Sequence, residues 1–178
     1  MDASVRAGLA ADVDRAARLK GSFKLRSGQV SDEYFDKYRF EADPALLARV
    51  AAAMLPLVPA DAEVLAGLEL GGVPIATAMS LQSGKPAAFV RKEAKPYGTC
   101  LAIEGGSVEG RKVAMIEDVI TTGGAVRDAH RLLVEAGATV LGVVCAIWRG
   151  AGDPRIDGLD VPVVAALTRD DLEAARRA

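Results

Sequence analysis

The sequence is poor in the residues on which many catalytic and metal sites depend. His130 is its only histidine, and Cys100 and Cys145 are its only cysteines. Two cysteines do not make a disulfide framework, and neither has a neighbouring cysteine or histidine with which to bind a metal. His130 falls inside a predicted helix beside Arg131, a pattern typical of a surface position. Ser-His-Asp catalysis and multi-histidine metal chemistry are therefore hard to build from this chain.

Long apolar runs and an excess of basic charge are also missing. The sequence has no run of about 18 apolar residues, so a transmembrane helix is not expected. The formal net charge is −2, which argues against broad binding to nucleic acids or anionic membranes. The N-terminal segment carries Asp2, Arg6, Asp12 and Asp14, which the apolar part of a secretory signal does not contain. These absences predict a cytoplasmic protein that binds neither nucleic acid nor membranes.

Two common nucleotide-binding loops are absent as well. The sequence contains neither G-x-x-x-x-G-K-[ST] nor G-x-G-x-x-G, which counts against P-loop hydrolysis and dinucleotide binding.

The chain does have the composition of a globular protein, with 178 residues of which 51% are hydrophobic and 26% charged. That length allows one domain with a sizeable core. We expect a single domain over residues 1–178, because no repeat, low-complexity tract or interdomain linker interrupts it.

The hydrophobic pattern alternates strands and helices over most of the chain. Helical spacing of apolar residues predicts a first helix over 4–19, and two short strands follow near 23–28 and 34–36. Asp43 and Pro44 are an N-cap and a first-turn proline, which predict a helix to about residue 55. Further strands are predicted at 64–70, 87–91, 112–117, 139–147 and 161–167, and helices at 73–81, 124–136 and 170–177. This alternation indicates an α/β fold whose mostly parallel sheet is covered on both faces.

The most informative segment is 113–124, an apolar strand that ends in Glu117 and Asp118 and is followed by Thr-Thr-Gly-Gly and a helix. Its glycines let backbone N–H groups surround a phosphate, and the start of the helix adds positive potential. The hydroxyls of Thr121 and Thr122 add further donors. The two carboxylates follow the strand directly, where they can hold the vicinal hydroxyls of a ribose. The pattern therefore predicts a pocket for a sugar phosphate.

Two further segments fit the same pocket. Gly71 and Gly72 follow the strand at 64–70, and next to the motif strand their N–H groups can bind a second phosphate cluster. Residues 92–111 form a long, polar, glycine-rich loop, and loops of that length in a compact domain are usually functional. A closing lid can bring cations to a phosphate-bearing ligand while it excludes water. The basic residues at the start of this segment are Arg91, Lys92 and Lys95.

The segment 113–124 resembles the motif with which type I phosphoribosyltransferases bind PRPP, the ribose 5-phosphate that carries a pyrophosphate at C1. That motif consists of four apolar residues, two acids, a short apolar pair and Thr-Thr-Gly, and the match is complete. Residues 21–28, followed by Ser31 and by Tyr34–Phe35, resemble the N-terminal signature of orotate phosphoribosyltransferases. Other type I phosphoribosyltransferases generally lack that signature. The second resemblance therefore points to the orotate-using branch.

Two more features carry the resemblance, which runs from about Gly21 to Thr168. Residues 91–95 are similar to that family's catalytic flap, and Arg149 matches its orotate-contacting arginine. The resemblance implies the type I phosphoribosyltransferase fold, a mostly parallel central sheet flanked by helices. It also implies a small hood formed largely by about residues 1–40 and by C-terminal elements. Members of the family are usually homodimers in which the flap of one subunit closes over the other's site.

The resemblance also implies a reaction and the residues that perform it. Orotate and PRPP give orotidine 5′-monophosphate and pyrophosphate in pyrimidine nucleotide biosynthesis, with Mg²⁺ held mainly by PRPP oxygens and water. Glu117 and Asp118 position the ribose hydroxyls and stabilise positive charge on the sugar. Lys92 and Lys95 neutralise the leaving pyrophosphate, with Arg91 in support. The other expected PRPP contacts are Val119, Ile120, Thr121, Thr122, Gly123, Gly124, Ala125, Gly71 and Gly72, and the expected orotate contacts are Arg149, Thr121, Lys24, Arg26 and Phe35.

Several residues depart from the commonest family pattern. Arg26 stands where many members have lysine, and Tyr97 stands where many have a flap histidine. Glu69–Leu70 replaces an aromatic–lysine pair, which removes a cation from the pyrophosphate site, and Trp148 replaces an acidic residue before the orotate arginine. Transfer to another base, a purine or a modified pyrimidine, therefore stays open.

A regulatory homologue that binds nucleotides or RNA without catalysis is an alternative of another class. A lysine-rich flap argues against pure regulation, and the slightly acidic net charge argues against RNA. A structural or interaction protein is the third alternative. It would leave the carboxylate pair and the glycines of the motif unexplained.

Overall fold

The computed structural model describes residues 1–24, 28–93 and 102–177, and its strands form two sheets. An antiparallel hairpin of β1 (Arg18–Lys24) and β2 (Val30–Phe35) makes up the smaller sheet. The larger sheet contains β3 (Val64–Leu68), β4 (Ala87–Val90), β5 (Ile103–Gly105), β6 (Lys112–Ile120), β7 (Thr139–Trp148) and β8 (Val163–Thr168). The helices are α1 (Ala3–Ala17), α2 (Tyr38–Glu41), α3 (Pro44–Met54), α4 (Gly72–Ser83), α5 (Gly124–Glu135) and α6 (Arg169–Arg177).

The larger sheet has the strand order β5-β4-β3-β6-β7-β8. Its strands pair in parallel, except that β5 runs antiparallel to β4. The strand of the sugar-phosphate motif, β6, lies at the centre, and the strand that precedes Gly71 and Gly72, β3, is its neighbour. Because the carboxyl ends of parallel strands meet at one edge, the segments after β3, β4, β6 and β7 open on the same side. The predicted mostly parallel α/β sheet is confirmed.

Helices cover both faces of this sheet and build two hydrophobic clusters. On one face α1, α3 and α4 bury residues that include Val13, Val50 and Met79. On the other face α5 buries Val126 and Leu133. Burial of one such side chain stabilises a fold by about 1.5–3 kcal/mol, so these apolar faces hold the helices on the sheet. No helix in the described parts of the chain has both the length and the apolar character needed to cross a bilayer.

Ion pairs fasten the β1–β2 hairpin to the first and last helices. The carboxylate of Glu33 lies 3.0 Å from the guanidinium of Arg18 and 2.9 Å from that of Arg176. Arg18 also bonds Asp14 of α1 at 2.6 Å. Partly exposed pairs of this kind contribute up to about 1 kcal/mol each. Their main effect is to set the orientation of the hairpin against α1 and α6.

Two boundaries differ from the predicted ones because strand pairing overrides the local pattern. The first helix ends at Ala17 rather than at residue 19, since Arg18 already pairs with Phe35 across the hairpin. Strand β6 continues through the two carboxylates to Ile120, because β7 extends beside it as far as Trp148. The carboxylates therefore lie within the strand instead of at its end.

Two short elements were not expected at all. The segment predicted as one long loop, 92–111, contains β5, whose three residues pair with the edge of β4. Helix α2 has only four residues. Neither element is long enough to show a helical or a strand period in the sequence.

Candidate active site

The connection between β6 and α5 surrounds a cleft of about 210 Å³ lined by residues 119–126 and Glu117. Gly123 has a φ of +73°, in the left-handed region that glycine adopts most readily. A Cβ at Gly123 would also lie 2.7 Å from the side chain of Ile156. The first turn of α5 follows directly, and its N–H groups are those that a helix leaves without intrahelical partners. The cleft thus combines free backbone donors with the positive end of a helix, which suits a phosphate.

Most of the predicted PRPP contacts converge on this cleft. Thr121 and Thr122 are exposed, so their hydroxyls are accessible as donors. Arg127 donates to the carbonyls of Thr122 at 3.4 Å and Asp157 at 3.3 Å, which ties the loop to the segment after β7. The predicted contacts that line the cleft are Glu117, Val119, Ile120, Thr121, Thr122, Gly123, Gly124 and Ala125.

The two carboxylates of β6 have different surroundings. Glu117 borders the cleft, and its Oε1 accepts a hydrogen bond from the Asp118 N–H at 2.9 Å. Asp118 is 0% exposed, and its Oδ2 lies 2.5 Å from the Nζ of Lys37. Successive side chains of a strand project to opposite faces of the sheet, which explains the division. In this geometry Glu117 lines the cleft, whereas Asp118 is buried against Lys37.

The second glycine loop passes directly over Asp118. A Cβ at Gly71 would collide with Asp118 Oδ2 and would lie 2.8 Å from Glu41 Oε1. A Cβ at Gly72 would collide with the backbone carbonyl of Ile116. Both glycines are therefore required by close packing against β6 and its carboxylate. The loop thus follows the strand next to β6, the strand of the sugar-phosphate motif, and its binding of a phosphate stays a prediction.

A larger cleft of about 450 Å³ lies between the carboxyl ends of β3 and β4 and helix α5. Arg91 and Lys92, at the end of β4, lie on one side of it, and Gly124 and Ala125 are shared with the smaller cleft. The Glu69 carboxylate accepts a hydrogen bond from the Lys92 N–H at 3.1 Å. The two clefts together offer room for the two phosphate-bearing ends of one ligand. Three residues singled out in the sequence, Arg26, Lys95 and Tyr97, lie outside the described residues.

Arg149 and Phe35 meet at the edge of this site. The guanidinium carbon of Arg149 lies 5.3 Å from the centre of the Phe35 ring, within the range of cation–π contacts. The Arg149 N–H donates to the Ile120 carbonyl at 2.8 Å, which places the residue at the end of β6. Burial lowers the pKa of the Arg149 guanidinium, and the positive charges of Arg18 and Arg169 lower it further.

This environment favours an anionic ligand at Arg149. A small cavity of about 90 Å³ adjoins it, lined by Arg18, Phe35 and Arg169 among others. Within residues 1–24, 28–93 and 102–177, no carboxylate forms an ion pair with Arg149. Arg149 is exposed and lies near the cations Arg18 and Arg169, with Glu173 as the one opposing charge that acts on its pKa. An accessible guanidinium without a salt-bridged carboxylate can bind a ligand carboxylate.

The structure does not bring Lys24 to Arg149 and Phe35. Lys24 pairs with Val30 at one end of the hairpin, whereas Phe35 pairs with Arg18 at the other. Lys24 is exposed. Its predicted contact with the base stays a prediction.

Sequence reasoning missed two residues of the site, Lys37 and Glu41. Together with Glu117 and Asp118 they form what we call the carboxylate cluster. Glu41 is only 7% exposed, and it belongs to the short helix α2 that Lys37 precedes. No motif or period marks either residue; the only sequence signal is their position between the hairpin and the N-cap of α3.

Burial and mutual proximity shift the pKa values within the carboxylate cluster. Burial, followed by the bond and charge of Asp118, raises the pKa of Glu117 to about 9. Burial, followed by the charge of Asp118, also raises the pKa of Glu41 to about 9. For Asp118, burial opposes ionisation, but the bonds with Glu117 and Lys37 outweigh it and lower the pKa. At neutral pH the cluster therefore holds one ion pair, Lys37 with Asp118, and two protonated glutamates.

Comparison with known proteins identifies the family of this chain. The family model for the phosphoribosyl transferase domain matches residues 39–171. An orotate phosphoribosyltransferase of Nocardioides sp. is 58% identical over 171 residues, which are 96% of this chain and 96% of the relative.

Solved structures agree as well. The Mycobacterium tuberculosis H37Rv orotate phosphoribosyltransferase in complex with Fe(III) dicitrate has a TM-score of 0.84 at 33% identity, over 94% of this chain and 98% of that one. The same enzyme in complex with PRPP has a TM-score of 0.80 at 30% identity, over 95% of this chain and 99% of that one. The chain therefore belongs to the phosphoribosyltransferase family, within its orotate phosphoribosyltransferase branch.

Proposed function

We propose that this chain catalyses the Mg²⁺-dependent transfer of a phosphoribosyl group from PRPP to orotate. The products are orotidine 5′-monophosphate and pyrophosphate, which makes the protein a pentosyltransferase of pyrimidine nucleotide biosynthesis. The relatives named orotate phosphoribosyltransferase support this activity. The observation in the structure that supports the choice of base is the Arg149 guanidinium, which packs over the Phe35 ring at the end of β7 and forms no salt bridge with a described carboxylate.

The ribose 5-phosphate end of PRPP occupies the smaller cleft in this proposal. Backbone N–H groups of the first turn of α5 and the hydroxyls of Thr121 and Thr122 donate to the phosphate. Glu117 borders the same cleft and faces the ribose. As the bond from C1 to pyrophosphate breaks, positive charge develops on the sugar. This positive charge favours the ionised form of Glu117, whose proton passes to solvent water in the cleft. The resulting carboxylate stabilises the transition state more than the ground state.

The pyrophosphate end lies at the second glycine loop and the larger cleft. Gly71 and Gly72 allow the backbone of their loop to pack closely against β6. Arg91 and Lys92 supply cations from the end of β4. Lys95 completes this set of cations in our proposal, by its match to the flap. The cations neutralise negative charge on the leaving group, and the flap excludes water from the reacting centre.

The residues around the clefts fit a Mg²⁺ ion that arrives with PRPP. Mg²⁺ prefers oxygen ligands and usually keeps several waters and substrate phosphate oxygens. Among the described residues, no group of three or more His, Cys, Asp or Glu side chains can cage a metal. The ion would therefore be held mainly by oxygens of PRPP and by water, and it would supply charge neutralisation of the phosphates.

Orotate is a planar anion, and the proposed base site matches both properties. The Arg149 guanidinium pairs with its carboxylate, and Phe35 packs on its ring. Thr121, between the base site and the phosphate loop, contributes a hydroxyl. Lys24 and Arg26 remain proposed contacts that rest on the resemblance of residues 21–28 to the family signature.

The assembly and location of the enzyme are further parts of the proposal. Its active unit is a homodimer in which each flap closes over the partner's site, and residues 1–178 form one phosphoribosyltransferase domain. The hood consists of the β1–β2 hairpin with α1 and α6, which the ion pairs of Glu33 hold together. We place the protein in the cytoplasm, because two cysteines are too few for a disulfide framework and its proposed substrates are charged small molecules.

The experiment is product formation from PRPP and Mg²⁺ across a panel of free bases: orotate, uracil, adenine and hypoxanthine. Orotidine 5′-monophosphate and pyrophosphate are quantified by chromatography. We expect product with orotate and little with the three bases that lack a carboxylate. Efficient product from adenine, hypoxanthine or uracil with none from orotate would retain the reaction class and overturn the choice of base. No product from any base, with PRPP still bound, would favour the regulatory alternative.

A further inference from the structure

The carboxylate cluster contains two residues that the reaction scheme above does not use. Lys37 contacts Asp118 Oδ2 at 2.5 Å, and the Asp118 side chain is 0% exposed. Glu41 is buried, and both its Oε1 and Asp118 Oδ2 lie against Gly71. All three side chains therefore meet at the base of the second glycine loop.

The cluster has one lysine and three carboxyl groups, so its charges balance only if two of the carboxyl groups are protonated. An ionised carboxylate without exposed surface is costly unless a partner compensates it. Lys37 compensates Asp118, but one lysine cannot also neutralise Glu41. Glu41 Oε1 accepts no hydrogen bond from any described residue although it is buried. A proton on Glu41 removes the second charge and gives that carboxyl a donor that can point at Asp118.

We propose that Lys37 and Glu41 are positioning residues, which hold Asp118 ionised and in place against Gly71 and thereby set the glycine loop for the pyrophosphate end of PRPP. This inference rests on the proposed function of the site. Lys37 acts by charge, and Glu41 acts as a protonated hydrogen-bond donor. Neither residue touches the substrate; both act through Asp118 and the loop above it.

Other titratable groups around Asp118 do not replace these two. Glu117, the neighbour in β6, is protonated in the cluster and lowers the pKa of Asp118 through a hydrogen bond. Asp36, Tyr38 and Cys145 also lie near cluster members, but none of these side chains can carry a positive charge. Lys37 is thus the cation that faces Asp118 within the described residues.

The test compares Lys37→Met, Lys37→Arg, Glu41→Gln and Glu41→Met with the control Arg39→Met. Arg39 is an exposed residue of the same short helix, so the control removes a charge without contacting Asp118. Initial rates with orotate and Mg²⁺ give kcat and the KM for PRPP between pH 6 and pH 9. Carboxyl ¹³C NMR of aspartate-labelled protein, with Asp118→Asn for assignment, follows the Asp118 titration directly. Thermal unfolding shows which variants are folded.

Lys37→Met should lower kcat/KM for PRPP about ten- to a hundred-fold at neutral pH, as expected for loss of a charge-assisted bond. The Asp118 titration and the acidic limb of kcat/KM should both move to higher pH. Lys37→Arg should restore most of the activity. Glu41→Gln should stay close to wild type because its amide still donates, whereas Glu41→Met should raise the KM for PRPP. If Lys37→Met is not folded, the Glu41→Gln and Glu41→Met pair and Lys37→Arg still decide the case.

Equal pH profiles and Asp118 titrations for Lys37→Met and Arg39→Met would overturn the proposal, since a merely structural ion pair changes stability alone. Equal KM values for the two Glu41 variants would remove Glu41 from it. These outcomes are distinct from failure of the proposed function. If the wild-type protein forms no product from orotate, the activity is wrong, while the NMR titrations still report whether Lys37 controls Asp118.

Discussion

Arg149 holds its guanidinium carbon 5.3 Å from the ring centre of Phe35. The contact joins the strand that follows the phosphate loop to the hairpin near the N-terminus. Because Arg149 also bonds the Ile120 carbonyl through its N–H, the proposed base site and the proposed phosphate site lie at the ends of two paired strands. A base at Arg149 and a sugar phosphate at α5 would then lie in a fixed relation, which would lower the entropic cost of bringing two substrates together.

Substitution of Arg149 by alanine should weaken orotate selectively. Loss of one charge-assisted bond to a partly buried ligand costs about 1.5–3 kcal/mol, or roughly ten- to a hundred-fold in affinity. The KM for orotate should rise accordingly, while PRPP binding measured by calorimetry should change little. Arg155→Ala is the matched control, because Arg155 is an exposed arginine in the segment after the same strand. A parallel loss of PRPP and orotate binding would contradict the assignment of Arg149 to the base.

Glu117→Gln should reduce kcat more than it changes the KM for PRPP. The pKa of Glu117 is about 9, so glutamine imitates the protonated side chain of the free enzyme but cannot ionise. Removal of an electrostatic stabiliser of this kind typically costs about 100-fold in rate. Steady-state kinetics measure the split, with Glu135→Gln on the exposed face of α5 as control. A variant with unchanged kcat would show that Glu117 does not stabilise the sugar cation.

The ligand-free protein should lose stability as pH rises from about 5 to 9. The pKa values of Glu41 and Glu117 are about 9 in the folded state, against 4.5 for an unperturbed glutamate. Between these values the unfolded chain releases protons that the folded protein keeps bound, and stability falls with pH wherever that is so.

Glu41→Gln should remove its share of this dependence. The variant should unfold at a higher temperature than wild type at pH 8.5 and at about the same temperature near pH 3, well below the unperturbed pKa of 4.5, where both glutamates are protonated in the folded and in the unfolded state. Differential scanning calorimetry at the two pH values measures the difference. A difference of equal size at both pH values would indicate a packing effect instead of a titration.

Gly71→Ala should be far more harmful than alanine at a glycine with free space. A Cβ at Gly71 collides with Asp118 Oδ2, so either the loop or the carboxylate must move. We expect a higher KM for PRPP and a lower unfolding temperature. Gly8→Ala is the control, because a Cβ at Gly8 meets nothing within 4 Å and lies in α1, where alanine stabilises a helix by roughly 0.5–1 kcal/mol. Similar behaviour of the two variants would contradict the tight packing.

Flap exchange between subunits can be tested by complementation. A Lys95→Ala chain and an Asp118→Asn chain should each be inactive alone. In heterodimers one hybrid site contains an intact flap and an intact carboxylate, so mixing should restore part of the activity. Mass spectrometry under native conditions establishes that heterodimers are present. Their failure to gain activity would place each flap over the site of its own subunit.

The fold class and the glycine-rich turn between β6 and α5 could be predicted from the sequence. Strands with apolar residues on both faces can be stable only inside a helix-covered parallel sheet, and Thr-Thr-Gly-Gly before an amphipathic helix requires a turn that exposes N–H donors. Both are local patterns, readable without knowledge of distant contacts. The match of residues 113–124 to the family motif rests on the same local information.

Tertiary structure alone decided the roles within the site. The different surroundings of Glu117 and Asp118 depend on the face of β6 to which each side chain projects. They also depend on Lys37 and Glu41, which lie beside Asp118. Both belong to a four-residue helix and its N-cap, a segment too short to show a helical period in the sequence. The length of β6 depends on β7 beside it, and the partner of Arg149 depends on how the hairpin packs. Burial, charge compensation and strand pairing depend on contacts between residues that are far apart along the chain. Hydrophobic periodicity is a local pattern and does not predict such contacts.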